Sequence, residues 1–525
     1  MTVKEKIAAG LTYLGIELGS TRIKAVLIDD TFAPIASGSH SWENRYEDGY
    51  WTYSQEDIHR GVQLCYADLA RDVMEKYEMR ITTLGAMGVS AMMHGYMAFD
   101  SDGALLTPFR TWRNTTTGKA ASELTELLKF NIPQRWSISH LYQAVMDKEE
   151  HIRDIHSVTT LAVYIHFLLT GRKEAGIGEA SGMFPVDGTD YNKEYLSLAD
   201  QRLSEYGFDR KISDIFPAVR LAGYKGAVLT DEGAAFLDPT GYLKAGVPVC
   251  PPEGDAGTGM TATNSVLPRT GNVSAGTSIF AMLVLEKPMS GYYPEIDIVT
   301  TPDGAPVAMV HCNNCCGELD RWVGLFGEFA ALIGDPIDTS SLYEILYTNA
   351  MKSYLEKPGL VCYNYISGEP VMGLEKGRPM YMRNGDRAFG LGEFFRAQLY
   401  SSMASLKIGM DILFEKENAR ADKFTGHGGL FKVKNAAQQI LADGLNADVS
   451  VMKTAGEGGA WGMALLAAYS VCGENLTLSE FLDRKVFSGM ESRTLSPDAA
   501  GAEDFSRFIT EYKNGLAVQK CAAQL

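Results

Sequence analysis

Apolar residues along this chain follow two alternating patterns, one typical of strands and the other of helices. Residues 13–29 form two apolar runs on either side of a Gly-Ser-Thr turn, which predicts a β-hairpin, and residues 271–285 have the same outline. Apolar positions at helical or strand spacing predict helices over residues 54–76, 160–169, 392–414, 436–445 and 457–469, and strands at 83–90 and 449–452. This alternation predicts an α/β fold.

The two predicted hairpins carry turns of small residues. The turn residues are Gly19, Ser20 and Thr21 in the first hairpin and Gly276, Thr277 and Ser278 in the second. Nothing bulky keeps a phosphate from the backbone N–H groups and hydroxyls of such turns. One turn of this kind is an ordinary hairpin turn, whereas two, one in each half, indicate two related domains that hold a nucleotide in the cleft between them. The domain boundary is expected near residues 262–268.

The composition is that of a folded soluble protein with two or three domains. The chain has 525 residues, of which 46% are hydrophobic and 22% charged, and 48 basic against 65 acidic residues give a net charge of −17. This charge disfavours nucleic acid or an anionic membrane surface as a partner. No apolar run approaches the roughly 20 residues of a membrane helix, and the N-terminal stretch does not read as a signal peptide. Eight cysteines are too sparse for a disulfide framework and favour a reducing, cytoplasmic compartment.

A cluster of thiols and one imidazole stands at residues 311–316. Its members are His311, Cys312, Cys315 and Cys316. Zinc sites usually draw four ligands from two such pairs, and the sequence offers no second pair. Buried thiols at the start of a helix are therefore favoured over a structural metal site.

Asp255 is the sharpest candidate for catalysis because it begins a predicted helix inside a glycine-rich turn. The structural alternative is a helix N-cap, where an Asp side chain accepts hydrogen bonds from free backbone N–H groups. The position of Asp255 shortly before the second hairpin favours another role. There, its carboxylate would take the proton from a hydroxyl that attacks a γ-phosphate.

Glu17 lies on the first strand, just before the first small-residue turn. A carboxylate there can reach a magnesium ion through water, since Mg²⁺ prefers one or two carboxylates plus substrate phosphates. A pairing of Glu17 with Lys24 or Arg22 agrees equally well with the pattern. The sequence has no Walker-type phosphate motif, so the two hairpins would have to hold the phosphates.

Three further segments place small or polar residues where small molecules bind. Met93 and His94 follow a strand, a position typical of substrate contacts, although a histidine among methionines is more often a core residue. Trp112, beside Asn114, offers an indole that suits either a sugar face or the core. Gly428 and Gly429 open a predicted helix whose N–H groups would face a nucleotide, although such glycines also occur in ordinary strand-to-helix turns.

Taken in order, these segments resemble the FGGY family of carbohydrate kinases, closest to its xylulokinase branch, within the actin and hexokinase ATPase superfamily. The matching segments are residues 15–25, 87–95, 169–171, 179–182, 254–259, 276–278, 365–370 and 426–464. The resemblance implies an α/β fold of two actin-like (ribonuclease H-like) ATPase domains with an interdomain cleft. Residues 11–264 would form the N-terminal domain and residues 265–525 the C-terminal, nucleotide-binding domain.

The same resemblance implies a role for each candidate residue, with ATP and Mg²⁺ as cofactors. Asp255 would be the catalytic base and Glu17 the metal ligand. The implied ATP-binding residues are Gly19, Ser20, Thr21, Gly276, Thr277, Gly428 and Gly429. The implied sugar contacts are Met93, His94, Trp112 and Asn114.

The implied reaction is phosphorylation of a primary hydroxyl of a ketopentose such as xylulose. Four features depart from the family's pattern: Glu17 replaces Asp, Met92 replaces Gln, residues 112–117 replace a Trp-Asn-Asp-x-Arg segment, and Pro370 replaces Arg. They leave open a kinase for another ketose, a polyol or a sugar acid held by Arg113, and a non-catalytic nucleotide- or sugar-binding regulator. The expected partner is a small-molecule sugar rather than nucleic acid or a membrane, and a homodimer stays open.

Overall fold

The computed structural model describes residues 1–355, 359–385, 390–452 and 458–525. Its longer helices are α1 (Gln55–Tyr77), α2 (Gly118–Leu128), α3 (Ser137–Asp147), α4 (Leu161–Thr170), α5 (Lys193–Glu205), α6 (Asp231–Leu237), α7 (Asp255–Ala262), α8 (Cys316–Leu332), α9 (Thr339–Met351), α10 (Leu391–Asp411), α11 (Ala436–Leu445), α12 (Gly458–Cys472) and α13 (Ala499–Ala522). The strands that matter for the site are β1 (Thr12–Leu18), β2 (Arg22–Asp29), β3 (Pro34–Ser41), β4 (Ala86–Ala91), β5 (Ala227–Val228), β6 (Pro248–Val249), β7 (Glu253–Gly254), β8 (Thr270–Ala275), β9 (Ile279–Val284), β10 (Pro306–Cys312), β11 (Lys423–His427), β12 (Asp448–Met452) and β13 (Ser492–Leu495).

The chain divides into two compact units. The first consists of Met1–Val266, Ile298–Val307 and Glu457–Gly489, and the second of Leu267–Asp297, Ala308–Gly456 and Met490–Leu525. The chain therefore switches units several times, whereas the sequence suggested one boundary near residue 265. Helix α12 belongs to the first unit although it comes late in the chain.

Each unit is built on a mixed sheet, and six strands of one sheet follow the same order as six strands of the other. The first runs β5-β6-β4-β1-β2-β3, with β7 also paired to β4, and the second runs β13-β12-β11-β8-β9-β10. In each sheet an antiparallel hairpin, β1-β2 or β8-β9, lies beside a parallel strand, β4 or β11. The two-domain α/β fold predicted from the repeated hairpin is thus confirmed.

Local signals explain where the predicted helices begin and end. Helix α1 starts after Ser54, whose hydroxyl accepts a hydrogen bond from the Asp57 N–H. Helix α4 ends at Gly171, whose φ of 70° is the left-handed conformation that favours glycine. Helix α11 has the bounds expected from its apolar spacing. The expected start of α12 at Glu457 lies outside the described residues.

The first unit contains two apolar cores. One joins the sheet to α1 and α4, and the other joins α2, α3 and α5 around the buried Trp136. The elements that flank the candidate site residues of this unit are packed into these cores. Among the described residues, no helix combines the length and the apolar character that crossing a membrane requires.

Candidate functional site

Aromatic side chains hold the turn between β1 and β2 through its carbonyl groups. The Gly19 carbonyl accepts a hydrogen bond from the Trp42 indole at 2.7 Å, and the Ser20 carbonyl accepts one from the Tyr53 hydroxyl at 2.6 Å. These carbonyl oxygens therefore point into the unit, while Thr21 is exposed at the tip. Because carbonyl oxygens repel anions, this orientation leaves the N–H and hydroxyl face of the turn for a phosphate.

The turn between β8 and β9 is also held through its carbonyl groups, but here the donors are backbone N–H groups. The Gly276 and Thr277 carbonyls accept hydrogen bonds from the N–H groups of Cys316 and Cys315, each at 3.0 Å. The Gly276 N–H donates within the turn to the Ser278 carbonyl at 2.9 Å. Thr277 is exposed, as Thr21 is in the first unit. Both turns thus direct carbonyl groups inward and a threonine outward.

Gly428 packs directly against the strand that leads into the second turn. A Cβ at this position would lie 2.3 Å from the Ala275 carbonyl oxygen, and φ is 104°, so only glycine fits. Gly429 faces open space. The two glycines do not open an α-helix as expected, because Gly429–Phe431 is a single 3₁₀ turn and α11 begins at Ala436.

Asp255 is the first residue of α7, and Gly254 rather than Asp255 occupies the N-cap position. The Asp255 carboxylate accepts a hydrogen bond from the Met93 N–H at 3.2 Å. The side chain reaches solvent, yet the surrounding protein desolvates it enough to raise its pKa. Backbone N–H groups and the charge of Arg135 act in the lowering direction. A solvent-reachable carboxylate with a raised pKa has the properties of a general base.

The turn at residues 93–95 has a costly backbone conformation. His94 and Gly95 have φ values of 72° and 94°, and a non-glycine residue in this region is uncommon. The Gly95 N–H donates to the Arg135 carbonyl at 3.0 Å, and the Ser137 hydroxyl donates to the Gly95 carbonyl at 2.6 Å. Residues 135–137, at the start of α3, therefore hold this turn against the carboxylate of Asp255.

His94 is a buried, neutral imidazole in this turn. Its Nδ1 lies 3.1 Å from the Gly182 carbonyl oxygen, so Nδ1 carries the proton and Nε2 is an acceptor. Its ring stacks on Trp136 with the centroids 6.3 Å apart. Burial, with the charge of Arg135 as a second cause, holds the pKa of His94 well below its usual value. His94 is therefore suited to accept a hydrogen bond from a ligand hydroxyl.

Arg135 is a candidate site residue that the sequence did not reveal. It is half-buried in the loop before α3, and its positive charge lowers the pKa of both Asp255 and His94. No sequence motif marks Arg135. Residues 133–137 come close to the turn at Gly95 only through hydrogen bonds that form in the folded chain. Arg135 supplies a cation beside the candidate base.

Glu17 lies opposite Lys24 on β2 and beside Ser90 on β4. Burial and the charge of Asp255 raise the pKa of Glu17 to about 7, although Lys24 acts in the lowering direction. Among the described residues, no ion pair to Glu17 is found within 4.0 Å. A Cβ at Gly459 would lie 2.2 Å from Glu17 Oε1, so the start of α12 leaves room for this carboxylate only because residue 459 is glycine.

Two buried carboxylates near Asp255, Glu253 and Glu179, were given no role from the sequence, although Glu179 lies in the family-resembling segment 179–182. Glu253 accepts hydrogen bonds from the N–H groups of Gly178 and Glu179, at 3.4 and 3.1 Å. Burial raises the pKa of Glu253 to about 8 and that of Glu179 well above its usual range. Since Glu253 and Asp255 are two residues apart, Glu253 fastens the strand before the candidate base to the segment at residues 176–179.

The segment around Trp112 has mixed roles. The Trp112 indole is partly exposed and donates to the Ser20 hydroxyl at 3.1 Å, which links this loop to the first turn. Asn114 is buried, and its side-chain amide bonds to Trp51 and Thr111, so its contact with a sugar stays a prediction. Arg113 donates to Asn44 and lies over the Trp51 ring, so its guanidinium is already engaged.

The thiol cluster at residues 312–316 is buried. Burial raises the pKa of Cys312, and a hydrogen bond with Cys316 together with burial raises that of Cys315. Within the described part of the chain, no group of three or more His, Cys, Asp or Glu side chains is arranged to hold a metal ion.

Two family models match the chain. The N-terminal domain model of the FGGY family of carbohydrate kinases matches residues 12–260, and the C-terminal domain model of the same family matches residues 271–471. No curated protein matches the chain.

Several solved structures share its fold. A xyloylose kinase from Brucella ovis is 18% identical with a TM-score of 0.76, over 97% of this chain and 99% of that one. A gluconate kinase from Lactobacillus acidophilus is 17% identical with a TM-score of 0.76, over 98% and 99%. A glycerol kinase from Plasmodium falciparum is 12% identical with a TM-score of 0.73, over 97% and 98%. At these identities the likeness shows the fold alone.

Proposed function

Because the chain belongs to the FGGY family of carbohydrate kinases, we propose that it transfers the γ-phosphate of ATP to a primary hydroxyl of a ketopentose such as xylulose. The 3.2 Å hydrogen bond from the Met93 N–H to Asp255 carries this proposal, because it joins the proposed base to the proposed sugar-contacting turn. The xyloylose kinase among the similar structures favours the same substrate class.

In the proposed reaction Asp255 accepts the proton of the attacking sugar hydroxyl. The hydroxyl oxygen forms a bond to the γ-phosphorus while the bond from that phosphorus to the ADP oxygen breaks. His94, with its proton on Nδ1, accepts a hydrogen bond from a second sugar hydroxyl and thereby orients the sugar. Trp112 offers its exposed indole face to the carbon side of the sugar.

The two small-residue turns would hold the phosphates of ATP. Ser20 and Thr21 in the first unit and Thr277 in the second offer hydroxyls and N–H groups on the face opposite their anchored carbonyls. Gly428 and Gly429 would contact the adenosine, and the open space beside Gly429 supports that role.

Mg²⁺ would be held mainly in the first unit. Glu17 fits this ion because, among the described residues, its carboxylate has no ion pair within 4.0 Å. The negative charge of Asp255 also acts on Glu17, and a cation between the two would relieve this repulsion. One carboxylate together with the phosphate oxygens of ATP forms a donor set that Mg²⁺ prefers. When bound, the ion neutralises negative charge on the phosphates.

A sugar acid is the second candidate substrate, and Arg135 is the observation that favours it. A guanidinium pairs well with a carboxylate, and Arg135 lies close enough to influence both Asp255 and His94. The gluconate kinase among the similar structures agrees with this alternative.

Sugar-dependent ADP release tests the proposal. Pentuloses, hexuloses, polyols and aldonates are compared as substrates, and a ketopentose is expected to give the highest kcat/KM. Asp255→Asn is expected to lower turnover at least about a thousandfold with ATP affinity retained, because the base is lost. Asp231→Asn, which also changes the first residue of a helix, should leave turnover unchanged. Release of ADP that no sugar stimulates would refute the proposal.

A further inference from the structure

Two neighbouring cysteines face each other at the start of α8. The Sγ atoms of Cys315 and Cys316 lie 3.7 Å apart. Consecutive side chains inside a regular helix diverge, but Cys315 precedes the helix and its backbone is not helical, so the two sulfurs can meet. The pair is thus a preformed dithiol.

The backbone of this dithiol is bonded directly to the second small-residue turn. The Cys315 N–H donates to the Thr277 carbonyl and the Cys316 N–H to the Gly276 carbonyl, each at 3.0 Å. The Asn364 amide donates to the Cys315 carbonyl at 3.0 Å. The peptide groups around Cys315 are therefore held on both sides, and any rotation of them must disturb the turn.

We propose that Cys315 and Cys316 form a modification site for peroxides, and that their oxidation to a disulfide stops phosphoryl transfer by displacing the turn at residues 276–278. The inhibitory effect rests on the phosphate role proposed above for Thr277. The reactant is a peroxide, which accepts two electrons from the pair of thiols.

The chemistry balances without any other reactant. The Cys316 sulfur attacks the O–O bond of the peroxide and becomes a sulfenic acid as one water leaves. The Cys315 sulfur then displaces the sulfenic oxygen, which leaves as a second water, and the S–S bond forms. Two electrons pass to the peroxide, and both thiol protons end in water. Cys316 reacts first because it is 8% exposed, against 1% for Cys315.

Bond formation forces the backbone to move. The two sulfurs must approach from 3.7 Å to the S–S length of about 2.05 Å. A disulfide between adjacent residues closes a small ring that contains the Cys315–Cys316 peptide group, so this peptide must rotate. Its rotation carries the Cys316 N–H away from the Gly276 carbonyl. The turn then loses the anchor that directs its carbonyl groups inward.

Peroxide treatment of the full-length enzyme tests this site. After removal of excess hydrogen peroxide, peptide mapping should find the Cys315–Cys316 disulfide. Kinase activity and ATP affinity, measured on the same sample, should each fall at least about tenfold and recover with dithiothreitol. Cys315→Ala and Cys316→Ala should each keep, after peroxide, the activity that the same variant has when reduced, because neither can form the disulfide. Serine variants repeat the test if alanine lowers the melting temperature.

Two control variants test whether another thiol is responsible, and ATP affinity serves as a readout that does not depend on sugar turnover. Cys521→Ala, which removes an exposed thiol, and Cys312→Ala, which removes the nearby buried one, should both stay sensitive to peroxide. A disulfide that leaves activity and ATP affinity intact overturns the proposal, as does equal sensitivity of Cys316→Ala. If the reduced enzyme phosphorylates no sugar, the proposed function fails, and the change in ATP affinity still decides the role of the dithiol.

Discussion

Burial raises the pKa of Asp255, and the charge of Arg135 on a neighbouring loop partly opposes that effect. Because its charge lowers the pKa of Asp255, Arg135→Gln should raise that pKa. The base works only when ionised, so the acidic limb of the pH profile of kcat/KM should move to higher pH. Arg135→Lys should restore much of the original profile.

Arg113→Gln is the matched control for this prediction, because Arg113 is bonded to Asn44 and stacks on Trp51. It should leave the acidic limb in place. A lower kcat in Arg135→Gln with an unmoved limb would mean that Arg135 only supports the loop.

Burial, together with the charge of Asp255, raises the pKa of Glu17 to about 7, so the charge of this carboxylate is sensitive to pH near neutrality. Below pH 7 it gains a proton and becomes a weaker metal ligand. The Mg²⁺ concentration that gives half-maximal velocity should therefore rise as pH falls from 8 to 6. Glu17→Gln, which cannot titrate, should need more Mg²⁺ at every pH and show a flatter dependence. An identical slope in both enzymes would exclude Glu17 as a metal ligand.

At the scale of single elements, the first small-residue turn depends on hydrogen bonds from aromatic side chains. Tyr53→Phe removes the donor to the Ser20 carbonyl at a cost of about 0.5–1.5 kcal/mol. The KM for ATP should rise about two- to tenfold, with a smaller change in the KM for the sugar. Tyr77→Phe is the control, because Tyr77 donates to the Ile35 carbonyl in the same unit. Equal effects of the two variants would indicate a general loss of stability.

The sequence predicted well those helices and hairpins whose formation depends on residues close together in the chain. Helices α1, α4 and α11 follow from apolar spacing and end signals within a few residues, and both hairpins follow from their turns. The candidate site was predicted only in part. Asp255 and Met93 are bonded across 162 residues of sequence, and the roles of Arg135 and Glu253 depend on similar distant contacts. Single-sequence patterns do not encode such contacts.

At the scale of the whole molecule, buried carboxyl groups link stability to pH. Desolvation raises the pKa of Glu253 to about 8, and of Glu17 and Glu369 to about 7, so the folded chain binds more protons than the unfolded chain. Stability must then fall as pH rises through these values. Buried histidines act in the opposite direction, but only below about pH 6.5.

The melting temperature should therefore fall between pH 6.5 and pH 8. Between pH 6.5 and pH 8 the folded chain holds about one extra proton on Glu253. At 1.36 kcal/mol for each pH unit, this proton alone lowers the free energy of unfolding by about 2 kcal/mol. Glu253→Gln should show a smaller fall, whereas Glu232→Gln, at an exposed position, should behave as the parent. A melting temperature that rises over this range would contradict the assignment.

The two sheets repeat one strand order, so each small-residue turn leaves its own sheet at the equivalent position. Both turns also have inward carbonyl groups and an outward threonine. The anchors differ, because side chains of Trp42 and Tyr53 hold the first turn and backbone N–H groups of Cys315 and Cys316 hold the second.

This difference gives the two turns unequal tolerance to mutation. A backbone donor survives nearly every substitution at its position except proline, whereas an aromatic donor is lost with its side chain. In a saturation library selected for growth on the enzyme's substrate, positions 42 and 53 should accept few residues. Positions 315 and 316 are buried and should still accept several small residues, so the second turn can persist through sequence drift that would destroy the first.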